Sequence, residues 1–280
     1  MKPGHESMTA VLVCMGRALA DRDPALPYFS DPTAYALLPV DARVRVERVR
    51  SEGTKGLRSA IEDGFLMRQS KIMAARTLHI DRAIAEASAP QLVILGAGLD
   101  GRAWRMPELA NVSVFEVDHP DSQKAKRQRV AALEPKARDI RFVPLDFARA
   151  DMAQALAAAG HDSERPTTWV WEGVVMYLTR PAIEATLAVI AGRSAKSSRL
   201  IVLYHRPSAT LSLVGPIVRF LGEPLRSVFK PEKLRSLLAK HGFDVTRDQS
   251  AAEIGRGISE ELGVATKVAG HLRIAVATHP

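Results

Sequence analysis

From residue 91 onward, short runs of apolar residues alternate with longer segments of helical character. The apolar runs lie at residues 91–95, 112–117, 140–145, 168–171 and 199–204. Alanine-rich or charged segments separate them, at residues 121–133, 151–159 and 180–192. Strands that alternate with helices in this way predict a parallel sheet with right-handed crossover connections.

Two more apolar runs follow near the end of the chain, at residues 243–246 and 271–277. No long helical pattern lies between them, so we predict that the last two strands form an antiparallel pair. The complete pattern predicts an open α/β sheet of about seven strands.

The first 90 residues have a different pattern. Ile72, Met73, Ile80 and Ile84 recur at helical spacing within residues 70–87, and Arg76 lies on or beside this apolar stripe. Several prolines break the preceding chain into short pieces. We predict that residues 1–90 form an N-terminal helical layer over a core of residues 91–280, within one domain.

An apolar insertion occupies residues 207–229, between the fifth predicted strand and a helix near residues 232–241. Two interpretations stay open for this segment. It adds to the hydrophobic core, or it forms a lid over a ligand pocket, since connections of this kind supply lids in α/β enzymes.

Composition narrows the class of protein. The chain has 280 residues, 46% of them hydrophobic and 25% charged, which excludes a disordered or fibrous protein. A single cysteine, Cys14, excludes an internal disulfide framework and favours a reducing compartment. No apolar run approaches the ~18 residues of a membrane span. Arg17 interrupts a signal-like stretch near the N-terminus, so we expect a cytoplasmic protein without membrane attachment.

The net charge of the chain does little to identify its binding partners. Lysines and arginines number 39 against 31 acids, which gives a net charge of +8. The densest patch, Lys124 to Arg129, is typical of a solvated helix face, and no nucleic-acid motif accompanies it. We therefore expect a small anionic ligand rather than nucleic acid. The eight histidines lack the spacing of a metal site, so we expect no metal.

A glycine loop follows the first predicted strand. Gly96, Gly98 and Gly101 satisfy the pattern G-x-G-x-x-G, and Glu116 and Asp118 follow about 20 residues later. Glycine lets the backbone approach a ligand, and the carboxylate accepts hydrogen bonds from ribose hydroxyls. Nicotinamide dinucleotides and S-adenosylmethionine both carry that ribose, so the motif predicts a nucleoside ligand without choosing between them.

Two features favour S-adenosylmethionine. The loop follows a helical layer of about 90 residues, whereas dinucleotide folds often begin with it. The predicted antiparallel end of the sheet also suits a methyltransferase. Arg102 and Arg105, just after the loop, are compatible with the pyrophosphate of a dinucleotide. A last strand that runs antiparallel would exclude the nicotinamide-dependent oxidoreductase.

At this point the sequence resembles the leucine carboxyl methyltransferase family, in particular the bacterial branch that includes polyketide O-methyltransferases of the tetracenomycin type. The matching segments are residues 75–77 with Asp81, 96–102, 115–120, 143–147, 171–178 and 222–224. Their order is that of the family's motifs, and the resemblance spans roughly residues 9 to 277. It implies a class I S-adenosylmethionine-dependent methyltransferase with a Rossmann-like seven-stranded sheet.

The resemblance also implies cofactor-binding residues. Arg76 would pair with the methionyl carboxylate, in a bidentate arrangement that lysine does not reproduce; the alternative is an ion pair with Asp81 or Glu86 on its own helix. Gly96, Ala97 and Gly98 would present their backbone to the methionyl group.

Three acidic residues and one aromatic residue would bind the rest of the cofactor. Asp118 would accept hydrogen bonds from the ribose hydroxyls, and Glu172 would meet the methionyl ammonium. Asp146 would accept from the adenine amino group, with Phe147 packed nearby. The alternative for Asp146 is an N-cap of the following helix.

Methyl transfer from a sulfonium depends mainly on positioning and water exclusion. A carboxylate acceptor needs no base, whereas a phenol benefits from one. His205, at the end of the fifth strand, is the best-placed candidate for that catalytic base; the alternative is a structural histidine. Tyr177 and Tyr204 are candidates for the wall of the acceptor pocket.

The resulting hypothesis is an O-methyltransferase that acts on a carboxyl or hydroxyl group of a small molecule, such as a polyketide-like secondary metabolite. Two alternatives stay open: a nicotinamide-dependent oxidoreductase and a protein that binds S-adenosylmethionine without turnover.

Overall fold

The computed structural model describes residues 7–52, 57–146, 151–208 and 225–280. The helices are α1 (Met8–Ala20), α2 (Pro32–Leu37), α3 (Val40–Glu52), α4 (Leu57–Ala87), α5 (Arg102–Arg105), α6 (Pro120–Val130), α7 (Met152–Ala158), α8 (Arg180–Gly192), α9 (Pro231–Lys240), α10 (Ala251–Ile258) and α11 (Glu260–Thr266). The strands are β1 (Gln91–Leu95), β2 (Ser113–Asp118), β3 (Asp139–Pro144), β4 (Thr167–Trp171), β5 (Arg199–His205), β6 (Asp244–Ser250) and β7 (Leu272–Thr278).

One seven-stranded sheet forms the centre of the molecule, in the order β3-β2-β1-β4-β5-β7-β6. The first five strands run parallel, and β7 runs antiparallel to both β5 and β6. The predicted sheet and its reversed last strand are confirmed. The bounds of β1 to β5 lie within one residue of the predicted apolar runs, because strands covered on both faces are continuously apolar.

The C-terminal pair differs in detail from the prediction. Strand β6 is longer than its apolar run, β7 is displaced from its run by one residue, and two short helices, α10 and α11, lie between the strands. Strand β7 is buried along most of its length and lies inside the sheet, whereas β6 is largely half-exposed and forms the edge. Because β6 lies at the edge of the sheet, it contains several polar residues, and the apolar pattern therefore predicted only the start of this strand.

The N-terminal helices pack on the sheet and on one another. The predicted stripe of α4, from Ile72 to Ile84, is buried. Helix α1 crosses α4 closely at Gly16, where an added Cβ would lie 2.9 Å from the Met73 Cγ atom. A side chain at residue 16 would therefore force Met73 to move. In the described parts of the chain, no helix has the length and apolar character that a bilayer crossing demands.

The predicted insertion can be followed only at its ends, because residues 209–224 lie outside the described residues. Residues 225–229 return to the sheet, where the Phe229 amide donates to the His205 carbonyl oxygen at 2.9 Å. The choice between extra core and lid stays open.

One residue of the basic patch is not solvated, contrary to the prediction. Lys126 of α6 is 1% exposed, and its Nζ lies 2.7 Å from a carboxylate oxygen of the fully buried Glu116 on β2. Its ammonium also lies 5.2 Å from the centre of the Trp104 ring. Burial raises the pKa of Glu116 to about 7, against the opposing effect of Lys126. The pair thus buries an ammonium against a carboxyl group between α6 and β2.

Removing one member of this pair should destabilise the fold more than removing both. We expect Lys126→Met to lower the free energy of unfolding by about 3–5 kcal/mol, because Glu116 loses its partner while still buried. The double variant Lys126→Met/Glu116→Met should recover most of that loss. Urea unfolding measures both, with the exposed Lys124→Met as the matched control. A double variant no more stable than Lys126→Met would contradict this account.

Candidate active site

A cavity of about 240 Å³ opens at the carboxyl ends of β1, β2 and β4, under the N-terminal half of α1. Six of the predicted cofactor residues line it: Arg76, Gly96, Ala97, Gly98, Asp118 and Glu172. Ligands of open α/β sheets bind at this edge of the sheet. The topology therefore brings together residues from four separate parts of the chain.

The glycine loop has a backbone that few other residues adopt. Gly96 and Gly98 have φ angles of 68° and 45°, in the left-handed region. A Cβ on Gly96 would also lie 2.3 Å from the Val174 Cγ2 atom. The Gly96 and Ala97 amides donate to the Val117 carbonyl oxygen, at 2.8 and 3.2 Å, which holds the loop against the end of β2.

The third glycine of the motif has another function. A Cβ on Gly101 would lie 2.0 Å from the Thr33 Oγ1 atom, so this residue permits close packing of the loop against α2. Its neighbour Arg102 begins α5, and its backbone amide donates to Asp100 Oδ1 of the loop at 2.8 Å.

Asp118 both faces the cavity and holds the loop. One carboxylate oxygen accepts from the Gly98 amide at 2.5 Å, and the other accepts from the His119 amide at 2.6 Å. Burial raises the pKa of Asp118, and these two bonds act in the opposite direction. Of the two acids that the spacing offered for ribose, Asp118 lines the cavity, whereas Glu116 is buried with Lys126.

Arg76 pairs with Glu172 rather than with an acid of its own helix. Its Nε donates to the Glu172 Oε1 atom at 2.5 Å, and Arg102 Nη1 donates to Oε2 at 2.9 Å. Burial disfavours a charge on Glu172, but these two guanidinium groups outweigh it and lower the pKa of the carboxyl. A carboxylate and a guanidinium therefore stand side by side in the cavity wall.

Arg102, which also lines the cavity, and Arg105 extend this ion-pair network to Asp81 of α4. Arg102 donates to Asp81 Oδ1 at 2.7 Å and also to Asp100, and Arg105 pairs with Asp81 Oδ2 at 2.6 Å. These two arginines therefore neutralise carboxylates within the protein and do not present a site for pyrophosphate. Together with the antiparallel β7, this contradicts the oxidoreductase alternative.

Sequence reasoning missed Arg17 as a cavity residue. This arginine of α1 is 7% exposed, lines the cavity, and donates to Asp31 Oδ2 at 2.8 Å and to the Leu99 carbonyl oxygen at 2.5 Å. Asp31 is fully buried and also lies 3.4 Å from Arg105 Nε. A lone arginine within an otherwise apolar helical run was the signal that could have identified it.

Asp146 does not line the cavity, and Phe147 lies outside the described residues. The capping alternative for Asp146 is wrong, because the N-cap of α7 is Asp151, whose side chain accepts from the Ala153 amide. The adenine-binding role of Asp146 and Phe147 stays a prediction.

His205 also lies outside the cavity lining. Its ring is buried and stacks on His271, with the ring centres 5.2 Å apart. Burial lowers the pKa of His205 to about 3, assisted by the neighbouring His271 and Arg76. The catalytic role of His205 stays a prediction. Of the two tyrosines, Tyr177 lines the cavity, whereas Tyr204 is buried and donates to Asp248 Oδ2 at 2.8 Å.

A sequence model of the leucine carboxyl methyltransferase family matches residues 10–191, which is more than half of the chain. The chain belongs to the leucine carboxyl methyltransferase family. A relative from Mycolicibacterium gilvum, provisionally assigned as an S-adenosyl-L-methionine-dependent methyltransferase, is 36% identical over 244 residues, which cover 85% of this chain and 73% of the relative.

Two solved structures share the fold. A DUF574 family protein from Streptomyces avermitilis superposes with a TM-score of 0.61 at 13% identity, over 98% of both chains. A provisionally assigned methyltransferase from Thermobifida fusca gives 0.58 at 14% identity, over 99% of this chain and 96% of the other. At these identities the likeness shows the fold alone, that of a class I methyltransferase.

The family assignment makes the chain an S-adenosylmethionine-dependent methyltransferase, and the residues present fit that cofactor. The Arg76–Glu172 pair offers one charge to each end of a zwitterionic amino acid, and Asp118 offers a carboxylate to a ribose. The glycine cradle around Gly96 would be filled by any Cβ. Within the described ranges, no group of three or more metal-binding side chains comes together.

We expect Asp118→Asn to weaken S-adenosylhomocysteine binding at least tenfold. A hydrogen bond to a charged acceptor contributes about 1.5–3 kcal/mol, and asparagine keeps the shape but not the charge. Isothermal titration calorimetry measures the affinity, and Glu184→Gln, an exposed acid on α8, is the control. Unchanged affinity would mean that Asp118 serves only the glycine loop.

The variant Arg76→Lys keeps the positive charge but removes the guanidinium, so it tests whether cofactor binding needs the bidentate shape of that group. We expect an affinity loss of about tenfold, because an ammonium cannot reproduce the planar fork. Arg82→Lys, on the same helix and 79% exposed, should bind as the unchanged protein does. Equal affinities for the two variants would contradict the assignment of the carboxylate to Arg76.

Proposed function

We propose that this methyltransferase transfers its methyl group to an oxygen atom of a small molecule, and that a carboxylate is the preferred acceptor. The position of the histidines carries this choice, because His205 is buried against His271 and no described histidine lines the cavity. A buried histidine with a pKa of about 3 is a weak base for a phenol, whereas a carboxylate is already ionised near neutral pH. A polyketide-like carboxylic acid is one acceptor of this class.

The size and wall of the cavity support a small acceptor. The cavity holds about 240 Å³, and α1 contributes Ala10 and Val13 to its wall beside Val174. These apolar side chains exclude water from the ligand, which strengthens electrostatic contacts inside the cavity.

When bound, S-adenosylmethionine supplies a methyl group that its sulfonium already activates. The chain positions the reactants: Asp118 and the glycine loop hold the nucleoside, and the Arg76–Glu172 pair holds the amino acid portion. An acceptor carboxylate oxygen provides the electron pair for the new C–O bond, and the C–S bond breaks. The products are a methyl ester and a neutral thioether, so no proton has to move.

The chemistry of the product tests this proposal. With S-adenosylmethionine labelled in its methyl group, a panel of matched carboxylic acids and phenols should give label mainly in the acids. Mild alkali should release that label as methanol, because esters hydrolyse under conditions in which aryl methyl ethers survive. Alkali-stable label would instead assign the acceptor as a hydroxyl. Tight S-adenosylhomocysteine binding without any turnover would favour a non-catalytic binding protein.

His205→Asn separates the two acceptor classes by rate. With a carboxylate acceptor we expect kcat/KM within about threefold of the unchanged protein, since no base takes part. With a phenol acceptor and His205 as base, the loss should be about a hundredfold or more. His241→Asn at the end of α9 is a control outside the cavity lining.

The proposal includes a cytoplasmic location. Cys14 is buried, donates from Sγ to the Ala34 carbonyl oxygen at 3.2 Å, and has a pKa that burial raises to about 11. Such a thiol is unreactive and is compatible with a reducing compartment.

A further inference from the structure

A second concave surface lies between α4 and α11, and we call it the α4–α11 groove. It is open to solvent, has a volume of about 800 Å³, and shares no lining residue with the active-site cavity. Its walls include Met67, Arg68 and Lys71 of α4 and Glu260, Glu261 and Val264 of α11. The methyltransferase reaction makes no use of these side chains.

Exposed apolar side chains border this groove. Val264 is 72% exposed, and Val268, four residues further on, is 50% exposed. On the other wall, Phe65 precedes Arg68 by three residues and is 57% exposed. Phe65 and Arg68 lie three residues apart on α4 and so share one face of that helix, whereas Val268 follows the end of α11. Val264, which lines the groove, thus offers an exposed apolar side chain to another surface.

The two walls carry opposite charges. Arg68 and Lys71 make the α4 wall basic, whereas Glu260 and Glu261 make the α11 wall acidic, and Lys71 pairs with Glu261 across the groove. A two-fold axis through the groove would bring each basic wall against the acidic wall of the other copy, as a self-complementary interface requires. A second copy of the chain therefore matches both the basic wall and the acidic wall of the groove.

The net charge of the chain adds a second argument. Two copies that each carry +8 repel one another in most orientations. The α4–α11 groove is locally balanced, with two cations and two anions among its lining residues. Two copies can therefore meet at this face without the electrostatic repulsion that their net positive charges cause in most other orientations.

We propose that the α4–α11 groove is a two-fold interface between two copies of this chain. Phe65 and Val264 become buried at its centre, and Arg68 lies opposite Glu260 of the partner subunit. The assembly is independent of the proposed methyl transfer, because the groove and the cavity share no residue.

Light scattering coupled to gel filtration tests the interface on the full chain. The unchanged protein should run at twice the chain mass of 30.5 kDa, whereas Val264→Asp should run at that single mass. Val40→Asp is the matched control, since Val40 is 75% exposed on α3, away from the groove, and should leave the dimer intact. Circular dichroism confirms that each variant is folded. A monomeric unchanged protein, or a dimer that survives Val264→Asp, would overturn the proposal.

A charge swap tests the two-fold pairing itself. Arg68→Glu and Glu260→Arg should each be monomeric alone, because each places like charges opposite one another across the axis. An equal mixture of the two variants should form a dimer again, since every contact then joins opposite charges. A mixture that stays monomeric would overturn the pairing of Arg68 with Glu260.

Discussion

The site depends on one constraint: eight charged side chains are packed around the glycine loop, and each of them needs a partner of opposite charge. Each would be costly to bury alone, so the fold has to bring opposite charges into contact. Different elements supply them, which means that the network is complete only when the N-terminal helices dock on the sheet. Its members are Arg17, Asp31, Arg76, Asp81, Asp100, Arg102, Arg105 and Glu172.

This network explains why the N-terminal helices belong to the site and are more than a cover for the sheet. Arg17 of α1 reaches both Asp31 and the carbonyl oxygen of Leu99 within the glycine loop. Arg76 of α4 reaches Glu172 beyond the end of β4. The alternation of positive and negative groups suits a ligand that itself carries both an ammonium and a carboxylate, because each ligand charge finds an opposite partner without leaving one buried charge unpaired.

The sequence pattern predicted the parts of the structure that depend on local rules. Buried parallel strands are continuous apolar runs, and the glycine loop follows from backbone geometry, so both were found with small errors. Partners distant in sequence were not predictable in this way. Lys126 looked like a solvated lysine because its partner Glu116 lies on another element, and Arg17 looked like an interruption of an apolar helix because Asp31 completes its environment. Helices α10 and α11 are too short for a clear period.

The placement of charge also bears on how an acceptor reaches the site. The eight network charges cancel, four arginines against four carboxylates, so the net +8 of the chain resides elsewhere. A diffuse positive field attracts an anionic acceptor from a distance, but a balanced site does not hold every anion that arrives. Selection then depends on the shape of the apolar wall and on donors placed at defined atoms. The proposed carboxylic acid would have to satisfy both conditions, with a charge that responds to the field and an apolar body that packs against the wall that α1 provides.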